Sequence, residues 1–191
     1  GGYFFHAKDD IPEVREKFFK LIKSVNCSFE TVVGRKIPEL YENKHNGKEA
    51  LFYADLLSHL LKSKFTNHDK LVLNIANRGK STKNTNLNFA LLKAKERFTK
   101  INPAKDIYTN IVFNVIEQTD EPLLNVADYF CWSIQNVFEK GNLRYYNFLY
   151  DNISRVIDLY DFESYGKEGW PNYYGKNNPL TTKNKLSPLS H

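Results

Sequence analysis

Short apolar runs of strand length alternate along this chain with longer segments whose apolar residues recur every three to four positions. That alternation confines it to layered α/β architectures. Val14, Phe18, Leu21, Ile22 and Val25 fall at helical spacing, with Asp10 and Glu13 placed as a capping box ahead of them, which predicts a helix to about Ser24. Before it, Tyr3 to Ala7 is strand-like, and after it Phe29 to Ile37 reads as a β-branched strand ending at Pro38. A helix over Gly47 to Leu61, apolar on many sides, reads as well buried. Leu71 to Ala76 suits an interior strand, and Leu87, Ala90, Leu91, Ala94, Phe98 and Ile101 mark a helix that Pro103 follows. Ile107 to Ile116 reads as a fourth strand, Pro122 to Glu139 as a long helix, and Leu143 to Leu159, beyond Gly141, as a further helix.

At 191 residues, 41% of them hydrophobic, the chain suits one α/β domain with its own core, assigned here to residues 1–160. From Asp161 the composition turns to Gly, Asn, Pro and Tyr, which predicts an extended tail over residues 161–191, with Trp170, Tyr173 and Tyr174 as anchors. The longest apolar runs are broken by Asn114 and Asp128 and fall far short of the roughly 20 residues of a membrane span. Tyr3 to Ala7 is too short for a signal-peptide core, so the expectation is a cytoplasmic protein without a membrane partner. Cys27 and Cys131 stand alone, which excludes a disulfide framework and a Cys-x-x-Cys knuckle; Cys131 reads as a buried, inert thiol. Methionine is absent and Gly1-Gly2 directly precedes a strand-like run, so the native N-terminus is expected to lie upstream.

Charge is distributed unevenly. Between Arg78 and Lys105 the eight residues Arg78, Lys80, Lys83, Lys93, Lys95, Arg97, Lys100 and Lys105 face the single acid Glu96, a local +7 that exceeds the +5 of the whole chain. Lys93, Arg97 and Lys100 share one helical stripe, expected to face solvent. Such clustering attracts phosphate backbones, which makes Arg78, Lys80, Lys83, Lys93, Arg97 and Lys100 candidate nucleic-acid contacts, although a solvated helix face would show the same pattern.

Several chemistries drop out. Arg78-Gly79-Lys80-Ser81 looks like the end of a phosphate-binding P-loop, but Asn74 occupies the place of the first glycine that the tight turn needs. No His-Glu-x-x-His and no Gly-x-Ser-x-Gly occurs. Asp128 is more informative, because it lies at the margin of the apolar stripe Leu124, Ala127, Cys131, Ile134 and Phe138. A carboxylate there is costly unless paired, so it is either ion-paired or a ligand for a divalent metal. For Asp10 the capping role competes with any catalytic one.

Two segments carry a resemblance. Tyr3-Phe4-Phe5-His6-Ala7-Lys8-Asp9-Asp10-Ile11-Pro12-Glu13-Val14-Arg15 and Leu124-Asn125-Val126-Ala127-Asp128-Tyr129-Phe130 resemble signatures of the bacterial "domain of unknown function 3800" family. The Arg78-Gly79 element and the Asn178-Pro179-Leu180 tail fit the same order, and the similarity spans nearly the whole chain. The resemblance implies a ribonuclease-H-like three-layer fold, a central mixed sheet flanked by helices, with acids on the first strand and a late helix gathering Mg²⁺ or Mn²⁺ for phosphodiester cleavage. Asp128 matches the late-helix acid, and His6, Asp10 and Arg15 match the earlier segment. Asn125 stands where the family has Gln, and the family's N-terminal Asp-Glu-Ser segment has no counterpart here.

Two functions follow as expectations. One is a metal-dependent nuclease or related phosphoryl-transfer enzyme, with Asp128 as metal ligand and catalytic residue, His6 and Asp10 as further catalytic candidates, and the Arg78 to Lys105 surface holding nucleic acid. The other is a non-catalytic nucleic-acid- or protein-binding module of the same fold, in phage defence or mobile-element biology; fold alone does not choose between them.

Overall fold

A computed structural model describes residues 4–66, 68–161 and 172–185. The protein is of the α/β class, and the chain divides into two compact units, one formed by residues up to Thr31 together with those from Glu121 onward, the other by Val32–Asp120.

In the first unit, α1 (Pro12–Ser24) buries Phe18, Phe19 and Ile22 and ends as the spacing predicts. Its start differs. Ile11 occupies the N-cap without a side-chain hydrogen bond, and Pro12 opens the helix, so Asp10 and Glu13 form no capping box. Pro12 lacks an N–H and has φ preset for a first turn, which serves the helix start without a cap. The expected strand at Tyr3 to Ala7 is also absent among its described residues: Phe4 to His6 are irregular and Ala7 to Asp9 form a turn, while Tyr3 lies outside the described residues.

Helix α5 (Pro122–Lys140) is the longest element of this unit, and its Tyr129 packs against Phe18 and Phe19 with ring centroids 4.4 and 5.0 Å apart. Gly141 ends it in the left-handed conformation. The predicted second helix stops early: α6 covers only Arg144–Leu149, a short turn follows, and Ile153–Asp158 is a strand, β4. The apolar positions Tyr146, Leu149, Ile153 and Val156 continue a helical period across this boundary, while the β-branched Ile153, Val156 and Ile157 favour the strand. Strand β4 lies between β1 (Phe29–Val33) and β5 (Tyr173–Tyr174), antiparallel to the latter with Val156 opposite Tyr174. Tyr173 and Tyr174 therefore do anchor the late segment, and Tyr146 Oη accepts the Leu180 N–H at 3.1 Å. Trp170 lies outside the described residues.

In the second unit, β1 gives out at Val33, four residues before the predicted end, and Pro38–His45 forms a helix, α2, closed by Asn46 at φ 51°. Pro38 thus starts a helix besides following a strand. Helix α3 (Glu49–Leu61) and α4 (Asn84–Ile101) pack on β2 (Lys70–Ala76) and β3 (Asn110–Ile116). The two strands are parallel, in the register Leu71 opposite Ile111 and Leu73 opposite Phe113. Those side chains meet Leu61, Phe65, Ala94 and Phe98 in one apolar cluster. The alternation of the strands sends Asn74 and Asn114 to the other face, where their amides share a 3.0 Å hydrogen bond.

Candidate functional site

In the first unit, two successive residues of α5 hold the turn that precedes α1. Asp128 Oδ2 accepts the Ala7 N–H at 2.9 Å, and the Tyr129 hydroxyl donates to Asp10 Oδ2. Asp10, itself buried, also accepts the His6 N–H at 3.1 Å, so its carboxylate closes the turn from within instead of capping a helix. Arg15 completes the arrangement from α1. Its guanidinium donates to the carbonyls of Ala7 at 2.8 Å, Lys8 at 3.3 Å and Asp10 at 2.7 Å, and lies 4.6 Å from the Trp132 ring centroid. The structure thus brings Asp128, Asp10 and His6 to one turn, with Arg15 as the residue that fixes its path.

What this turn can hold is limited. Asp128 is half-buried, and its Oδ1 has no hydrogen-bond partner among the described residues. Asp10 already receives a hydroxyl and an amide, and His6 Nδ1 stands 3.3 Å from Asp9 without hydrogen-bond geometry. Among the described residues no group of three His, Cys, Asp or Glu side chains is close enough to hold a metal ion. Among the described residues the turn therefore offers fewer oxygen ligands than Mg²⁺ or Mn²⁺ ordinarily takes.

The apolar stripe that placed Asp128 is also turned. The buried face of α5 keeps Ile134 and Phe138 of that stripe but runs otherwise through Asn125, Tyr129, Phe130, Ser133, Asn136 and Val137; Leu124 and Ala127 are half-buried and Cys131 is exposed. Ser133 and Asn136 are tolerated inside because Ser133 Oγ donates to the Tyr129 carbonyl at 2.7 Å and Asn136 Nδ2 to that of Trp132 at 2.8 Å.

In the second unit, the basic residues separate into two groups. Lys93 and Arg97, expected on a solvent-facing stripe, turn inward instead toward Asp55, a fully buried carboxylate on α3. Arg97 Nη2 donates to Asp55 Oδ1 at 2.7 Å and its Nε to Ser58 Oγ at 3.1 Å. Lys44 at 3.0 Å and the buried His45 at 3.2 Å reach Oδ2. A buried carboxylate demands such partners, and this demand overrides the helical stripe. Burial by itself would raise the Asp55 pKa; the hydrogen bonds and charges of Lys44, His45 and Arg97 hold it well below the usual carboxylate range. Asp55 was not among the residues the sequence singled out, and no local signal distinguishes it.

Arg78, Lys80, Lys83 and Lys100 remain exposed. The first three lie on the connection from β2 to α4, whose Gly79–Thr82 segment is a 3-10 turn with Gly79 at φ 55°. This connection is fixed by side chains. Asn77 Oδ1 accepts the Gly79 N–H at 2.9 Å, Asn77 Nδ2 donates to Glu117 beyond β3 at 2.6 Å, and Thr82 Oγ1 accepts the Arg78 N–H at 3.0 Å. Arg78, Lys80 and Lys83 have no carboxylate partner among the described residues. They stand where the parallel strands end and α4 begins, a position at which α/β proteins meet phosphates.

No family model, no curated protein and no solved structure matches this chain significantly. Among the described residues, no helix is long and apolar enough to cross a membrane.

The Asp55 surroundings carry a pH dependence. Burial first, and Arg97 second, press the half-buried His59 imidazole down to about 3 from its ordinary 6.5. The unfolded chain therefore binds a proton at His59 that the folded chain refuses, and stability falls as pH drops from about 6.5 toward 3, by at most about 1.4 kcal/mol per pH unit. Asp55, depressed in the fold, adds a further loss below its unfolded value near 3.8. Urea unfolding of His59→Gln at pH 7, 5.5 and 4.5 is expected to show a flatter decline than the parent protein; parallel declines would refute the assignment.

Proposed function

We propose that this chain is a nucleic-acid-binding protein of the ribonuclease-H-like class, related to the "domain of unknown function 3800" family. The observation that carries the reading is the exposed trio Arg78, Lys80 and Lys83, without acidic partners among the described residues, on a side-chain-braced connection at the carboxyl end of parallel strand β2. Unneutralised cations on a rigid connection suit a phosphate backbone, because each contact releases counterions without first breaking an ion pair or ordering a loop. Lys100 lies 17 residues beyond Lys83, about 25 Å along α4, and is not part of this contact. The α/β class and the Asp128-Tyr129 clasp on the His6 to Asp10 turn support the family reading, since the two segments that carry the resemblance meet there.

Replacing Arg78, Lys80 and Lys83 together by Ala is expected to weaken binding of a fluorescent single-stranded oligonucleotide at least about tenfold at low salt, with the unfolding midpoint unchanged. Undiminished binding, or none by the parent protein, would reject the reading.

The second reading is the metal-dependent nuclease. Oδ1 of Asp128 favours it, being the one candidate carboxylate oxygen at the turn that is both half-exposed and without a partner among the described residues. The donor set is incomplete among the described residues, so no catalytic step is derived. Asp128→Asn keeps an oxygen for the Ala7 N–H and should unfold within about 0.5 kcal/mol of the parent. If this reading holds, the parent cleaves oligonucleotide with Mn²⁺ and Asp128→Asn does not; cleavage by both, or by neither, removes it.

A further inference from the structure

The Asp55 cluster holds more positive charge than its carboxylate uses. Arg97 satisfies Oδ1 at 2.7 Å, and Lys44 and His45 satisfy Oδ2 at 3.0 and 3.2 Å. Lys93 Nζ is 3.8 Å from Oδ1, too far for a hydrogen bond, and so contributes no bond to the buried acid. It nevertheless lies one helical turn from Arg97, steadied over the Phe89 ring at 4.8 Å. Like charges four residues apart on a helix repel by a few tenths of a kcal/mol, and a second cation nearby adds to this. Lys93 thus adds repulsion with Arg97 against an attraction to Asp55 that lacks a hydrogen bond.

Neither cation is fully covered by the cluster. Lys93 and Arg97 side chains keep 26% and 29% of their exposure, and neither has a second carboxylate within ion-pair distance among the described residues. Arg97 commits Nη2 and Nε, which leaves Nη1 without a partner among the described residues. The surplus persists with Lys44 set aside: one carboxylate faces Arg97 and Lys93. A planar guanidinium fixed by a buried acid and an ammonium one helical turn away form a receptor for a tetrahedral oxyanion.

We propose that Lys93 and Arg97 form a phosphate-binding site, with Asp55 as the positioning residue that fixes the Arg97 fork. Its ligand is a phosphoryl group, either free phosphate or a phosphodiester of a nucleic acid. The site does not depend on the trio at Arg78 to Lys83, because a single phosphate fills it.

The test is isothermal titration at constant ionic strength, with chloride as the control anion, in two arms: inorganic phosphate, and an oligothymidylate without terminal phosphates. Lys93→Gln makes no hydrogen bond fail and relieves repulsion, so without ligand it should unfold at the same midpoint or higher. In the arm that carries the physiological ligand, Lys93→Gln is expected to bind about tenfold more weakly than the parent, the loss of one charge-assisted hydrogen bond. A Lys93-dependent response to phosphate identifies a free phosphoryl ligand, and one to oligothymidylate alone identifies the backbone. No response beyond chloride in either arm, or equal affinity in Lys93→Gln, overturns the proposal, as does a lowered unfolding midpoint in Lys93→Gln without ligand, which marks a structural role.

Discussion

The burial of one carboxylate, Asp55, decides how the basic residues of the second unit are used. A charge removed from water is tolerated only with partners at hydrogen-bond distance, and here they come from α2, through Lys44 and His45, and from α4, through Arg97. Three helices separated in sequence are thereby tied to one atom pair. Cations that the sequence presents as one surface become two groups of different character: those drawn to Asp55, and those left outside on the β2 to α4 connection.

A comparable logic holds in the first unit, where the His6 to Asp10 turn is defined by carboxylates that accept backbone N–H groups. Asp128 and Asp10 each supply an oxygen, and Arg15 takes up three carbonyls of the same turn. Both polar ends of the peptide chain are satisfied by side chains, so an irregular segment is held without a sheet partner. The acid that the family resemblance marks for metal chemistry thus has a structural task through one oxygen and, among the described residues, no partner for the second.

Much of the fold is legible in the sequence wherever periodicity and breakers agree. Helix α1 ends at Ser24, Gly141 closes α5, and Leu71 to Ala76 is a strand within one residue. Legibility fails where one pattern serves two structures. Tyr146, Leu149, Ile153 and Val156 keep a helical period although the backbone becomes extended at Ile153, and Pro38 signals both a strand end and a helix start. The site was legible in part. Asp128, His6 and Asp10 do converge, but Asp10 looked like a cap because its true partner, Tyr129, is 119 residues away. Asp55 was invisible for the same reason, since the 42 residues separating it from Arg97 leave no local trace. The buried face of α5 was placed only in part, through Ile134 and Phe138, because Ser133 and Asn136 bond to their own helix and so enter the core despite their polarity.

The central claim, that the exposed cations of the β2 to α4 connection meet nucleic acid, is tested most directly by the salt dependence of oligonucleotide binding. Three phosphate contacts from Arg78, Lys80 and Lys83 predict that log K falls against log salt concentration with a slope of about −2 for a single strand. A slope near zero, or a steep slope that survives removal of all three side chains, would contradict the account.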